Sequence, residues 1–76
     1  MNYTILSCKD YQTGQIIDII KDGNTYNIEF ANEGQFFTIK VKTKEEAQDK
    51  YLKIIKCFIN GHYNFNDRIK IIKGEL

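Results

Sequence analysis

Few side chains in this sequence offer nucleophilic or soft-metal chemistry: one serine (Ser7), one histidine (His62) and two cysteines (Cys8 and Cys57). A serine triad would have to join Ser7 to His62. Ser7 sits inside an apolar run without the flanking glycines of a nucleophile elbow. Cys57 and His62 are close in sequence, but a reactive thiolate needs a nearby cation or a helix N-terminus. Cys57 falls near the end of a predicted helix, where the dipole opposes a thiolate. It therefore reads as a small apolar residue. A metal site would need Cys8, Cys57, His62 and a carboxylate, without the closely spaced Cys or His pairs of structural zinc sites. The glycines, Gly14, Gly23, Gly34, Gly61 and Gly74, are scattered singly. No GxGxxG or Walker spacing marks a nucleotide loop. The expectation is a protein without catalytic residues, metal or cofactor.

Two other features carry binding chemistry. Lys40, Lys42 and Lys44 follow one another at alternate positions, and with Lys70 and Lys73 they suggest a basic patch. Beside Phe36 and Tyr63 such a patch would suit an anion or a single-stranded nucleic acid. It has no arginine, and charge runs are usually solvated faces. The second feature is a surplus of aromatics: Tyr11, Phe36, Tyr63 and Phe65 lie outside the expected core. Exposed aromatics anchor protein interfaces because they bury large area at little entropic cost. Phe65 and Tyr63 have a competing role, closing over the sheet edge to complete a small core.

The elements that must position these residues follow from periodicity. Residues 2–8 read as a first strand with apolar residues on both faces, the pattern of a central strand. Residues 15–21 form a second strand with Ile17 and Ile19 inward and Asp18 toward water. Asp22-Gly23 is a hairpin signal of the type I′ kind. Residues 25–31 alternate with Tyr26, Ile28 and Phe30 inward, and residues 35–42 with Phe37, Ile39 and Val41 inward. Between them Asn32-Glu33-Gly34 suits a three-residue loop. At Thr43 the period changes to 3.6. Thr43 and Glu46 form a capping box. Ala47, Tyr51, Ile54, Ile55 and Phe58 then make one face of a helix over 44–60, widened by Leu52 and Ile59 and ended at Gly61. The tail from Arg68 to Lys73 alternates weakly, which predicts a last strand, with a short helix as the alternative.

The fold class expected is α+β: an antiparallel β-meander of four to five strands with one amphipathic helix across one face, in the order β-β-β-β-α-β. A barrel-like curl of the meander with the helix as a lid is the second arrangement. All 76 residues form a single domain.

Composition narrows function further. Thirteen isoleucines and ten lysines against one arginine, Arg68, and no proline follow AU-rich codons and suggest an AT-rich bacterium, or its phage or mobile element. A net charge of +1 weakens a nucleic-acid role, which needs several cations on one face. The first 20 residues lack an apolar signal segment, and no apolar run reaches the ~20 residues of a membrane helix. A reduced, cytoplasmic setting without membrane contact is expected. The leading expectation is a small non-enzymatic protein-binding module, an inhibitor or regulatory adaptor. Its partner is another protein, or a second copy of itself meeting through a sheet edge or the outer sheet face. The alternatives are a nucleic-acid-binding module and an oligomer sequestering a small anionic ligand.

Overall fold

The computed structural model describes residues 2–76. Four strands lead: β1 (Asn2–Lys9), β2 (Ile16–Asp22), β3 (Thr25–Asn32) and β4 (Gln35–Val41). Two helices follow, α1 (Lys44–Asn60) and α2 (Phe65–Lys73). The strands form one antiparallel sheet in sequence order. This is the α+β meander with a helix over one face that the periodicity predicts.

Strand alternation decides which face is buried. Ile17 pairs with Phe30, and Phe30 with Phe37; Ile19 pairs with Ile28, and Ile28 with Ile39. These rows point to the helices. Ile17, Ile19, Ile28, Phe30 and Val41 form the sheet side of the core, against Ala47, Ile54 and Phe58 of α1 and Phe65 and Ile72 of α2. Burying each large member contributes about 1.5–3 kcal/mol. The opposite face has no helix on it. It carries Ile16, Ala31 and Phe36 in one row and Asp18, Glu29 and Thr38 in the next.

Helix α1 has the predicted ends. The Thr43 hydroxyl accepts from the Glu46 backbone N–H, and Gly61 closes the helix in the left-handed region at φ 67°. Leu52 and Ile59 do not widen its buried face; both are exposed.

Four expectations change. The β3–β4 connection is the two residues Glu33-Gly34, between the paired Asn32 and Gln35, and not a three-residue loop. Strand β1 is an edge strand and not a central one, since it pairs with β2 alone. Its register with β2 shifts between Thr4 and Leu6, a bulge that protects an exposed edge. The β2–β3 hairpin loop is Gly23-Asn24, between the paired Asp22 and Thr25. Only Gly23 has positive φ there, at 60°, so the turn has its glycine in the first position, as type II′ requires and type I′ does not. The predicted last strand is instead α2. Asn64 caps it by accepting from the Asp67 N–H, and Gly74 ends it at φ 82°. Phe65, Arg68 and Ile72 are its buried residues, at helical spacing. The Ile69/Ile71 alternation was a by-product of a half-apolar helix.

Candidate protein-binding surface

The surface is built outward from the one arginine. Arg68 is 1% exposed, the largest fully buried side chain among the described residues. Its Nε donates to the His62 carbonyl at 2.9 Å, and one Nη donates to the Cys57 carbonyl at 3.2 Å. The other Nη reaches Gln15 Oε1 at 2.6 Å and Asp10 Oδ2 at 3.4 Å. The guanidinium also lies over the Phe58 ring, 5.2 Å from its centroid. Asp10 and Gln15 are both buried. One side chain from α2 therefore ties together the end of α1, the α1–α2 junction and the β1–β2 loop. A planar cation with five donors can satisfy that many acceptors at once, and lysine cannot.

Asp10 in turn sets the loop. Its carboxylate accepts from the Gln12 N–H at 3.0 Å and the Thr13 hydroxyl at 2.9 Å, while its own N–H donates to the Gln15 carbonyl at 2.7 Å. Burial alone would raise the Asp10 pKa. The donors Gln12, Thr13 and Arg68, with the Arg68 charge, outweigh burial and hold it below the ordinary value.

This network holds the loops bearing two exposed aromatics, Tyr11 and Tyr63, together. Tyr11, next to Asp10, is 88% exposed, with Lys9 Nζ 5.5 Å from its ring centroid. Tyr63, next to His62, is 54% exposed and packs edge-on to the His62 ring at 5.9 Å. Its backbone is left-handed at φ 68°, an uncommon state for a tyrosine. Phe36 is 63% exposed and stands in the row Lys9–Ile16–Ala31–Phe36 at the same end of the sheet. The last residue of β3 lies beside the β1–β2 loop there, with Asn32 Oδ1 close to the Gly14 position. Tyr11 and Tyr63 thus arrive from two separate connections and Phe36 from strand β4. Phe65, named with them from sequence, stacks on Phe30 at 4.6 Å and is buried. It belongs to the core because α2 turns it inward, and it leaves no area for a partner.

Two of the lysines lie on opposite sides of the sheet. Lys40 lies on the uncovered sheet face and pairs with Asp22 at 3.0 Å. That hydrogen bond and charge hold the Asp22 pKa down. Lys73 is on the helix side of the sheet, 5.7 Å from the Phe37 centroid. Lys42 and Lys44 are exposed at the β4–α1 junction.

Cys57 is a buried free thiol whose pKa is pushed up by burial and drawn partly back by Arg68. Among the described residues no group of three or more His, Cys, Asp or Glu is placed to hold a metal ion. Among the same residues no helix is long and apolar enough to cross a membrane. Sequence reasoning missed the Arg68–Asp10–Gln15 network. Its only signal was a lone arginine set inside an isoleucine-rich segment. Comparison of the chain with protein-family models, curated proteins and solved structures finds no match.

Proposed function

We propose that this protein is a non-enzymatic docking module that binds another protein through the end bearing Tyr11, Phe36 and Tyr63. One observation carries the reading: the only arginine is fully buried and holds two loops 52 residues apart in sequence, so that each presents an exposed aromatic at the same end. An interface needs aromatic anchors whose positions are fixed before binding, because ordering them afterwards costs affinity. Tyr63 supports the reading independently, since a strained bulky residue on the surface suggests a role other than packing. An inhibitor or regulatory adaptor of this size works by such a surface. The test is affinity capture followed by titration with the purified captured protein. The triple variant Tyr11→Ala, Phe36→Ala, Tyr63→Ala should lose binding while keeping its circular dichroism spectrum. A triple variant that titrates like the wild type ends the proposal.

A further inference from the structure

Of the seven asparagines, one precedes a glycine: Asn60, the last residue of α1. The backbone nitrogen that follows an asparagine can close a five-membered ring onto the side-chain amide carbon, and glycine, lacking a side chain, leaves that approach open. Asn60 is exposed. Apart from its chain neighbours, nothing lies within 4 Å of where a Gly61 side chain would begin. Solvent therefore reaches both reacting groups. Asp22-Gly23 has the same spacing, but Asp22 pairs with Lys40 at 3.0 Å. A carboxylate held in its ionised form is a poor target for a nucleophile, so Asp22 is spared.

The Gly61 nitrogen is engaged in the folded protein. Its N–H donates to the Cys57 carbonyl, and the His62 N–H donates to the same oxygen at 3.1 Å. Arg68 braces both sides of this junction through the Cys57 and His62 carbonyls. Ring closure needs the last turn of α1 to open, and helix ends open at low cost.

We propose that Asn60 is a self-modification site, converted to aspartate and isoaspartate through a ring with Gly61 when the last turn of α1 opens. Hydroxide removes the Gly61 N–H proton. The nitrogen attacks Asn60 Cγ, the Cγ–Nδ2 bond breaks, and Nδ2 takes a proton from water and leaves as ammonia. Water then adds to one of the two ring carbonyls. Opening at one gives aspartate and at the other isoaspartate, and no electrons are exchanged. Isoaspartate puts an extra methylene into the main chain, which displaces the Gly61 and His62 N–H groups from the Cys57 carbonyl. The new carboxylate also stands at the negative end of the helix dipole, in a last turn without a basic residue. Because Arg68 Nε donates to the His62 carbonyl, the displacement reaches the network that holds the Tyr63 loop. The chemistry does not depend on the docking surface, so the two proposals fail independently.

Peptide mass spectrometry of the full chain, aged at neutral and mildly alkaline pH with and without urea, tests it. In the folded protein Asn60 should change before any other asparagine, and faster at the higher pH. In urea, where the turn is open, it should change about ten-fold faster or more. Gly61→Ala, compared in urea so that backbone strain plays no part, should slow the change about ten-fold or more by crowding the nitrogen. The aged protein, separated by anion exchange through its added negative charge, should melt below the fresh protein. An Asn60 that outlasts another asparagine in the folded chain, or a rate that urea leaves unaltered, overturns the proposal. So does a Gly61→Ala variant as fast as wild type in urea, or an aged protein that melts like the fresh one.

Discussion

Replacing Arg68 by methionine should destabilise this protein more than any change on its surface. The guanidinium is fully buried and donates to Asp10, Gln15 and the carbonyls of His62 and Cys57. Methionine restores much of the volume and none of the donors. Breaking a buried ion pair from one side costs about 3–5 kcal/mol, because the other charge is left without compensation. The Asp10 contact is long, at 3.4 Å, and Asp10 keeps its donors Gln12 and Thr13. The low end, about 3 kcal/mol, is therefore expected. A chain of this length has roughly 4–11 kcal/mol in total. With a urea slope of about 1 kcal/mol per molar, the midpoint should fall by about 3 M, read by circular dichroism. Asp10→Asn keeps the acceptor for Gln12 but strands the guanidinium charge. The double variant should be at least about 1 kcal/mol more stable than the summed singles predict. Additive singles, or an Arg68→Met loss below about 1 kcal/mol, would refute the reasoning. The pH dependence has a definite sign. The Asp10 pKa is lower in the folded state than its ordinary 3.8. Its contribution is complete above that value and is lost as the pH falls through the lower folded one. The stability gap between wild type and Asp10→Asn should therefore narrow in acid below 3.8.

Phe65→Ala should cost about 3–5 kcal/mol, because Phe65 stacks in the core on Phe30, whereas Phe36→Ala should stay within about 0.5 kcal/mol; equal losses in urea melts would contradict the assignment. Tyr63→Gly should stabilise by about 1 kcal/mol, since glycine accepts φ 68° without the left-handed penalty; a lower melting temperature would show that the ring or its contact with His62 matters more. Iodoacetamide should label Cys8 in the native protein and leave Cys57 until unfolding, because Cys57 is buried and its thiol pKa raised. Mass spectrometry of partly labelled protein reads the order directly, and early labelling of Cys57 would mean that α1 opens locally.

The strands and the first helix were legible because their signals are local. Tyr26–Phe30 and Phe37–Val41 alternate with period two, and a strand has only two faces to offer. Thr43, Glu46 and Gly61 mark helix ends by backbone needs that no distant contact alters. Helix α2 was less legible because its buried face includes Arg68. An arginine at a core position breaks the apolar pattern by which a helix is recognised, and the neighbouring isoleucines then imitate a strand. Leu52 and Ile59 failed in the opposite sense: a helical stripe shows that a face is apolar, and where the helix sits on the sheet decides whether anything covers it.

The candidate surface divides along the same line. Sequence alone left Tyr11 and Phe36 outside the expected core and Tyr63 divided between core and interface, with no catalytic or metal-binding spacing competing with them. That Phe65 is core, that Lys40 and Lys73 lie on opposite sides of the sheet, and that the loops bearing Tyr11 and Tyr63 are tied by one buried arginine were decided by tertiary structure. The physical reason is range. Propensity, capping and alternation act over a few residues, whereas Asp10, Gln15, Cys57, His62 and Arg68 become partners only after the chain has brought positions 58 residues apart within 3.4 Å.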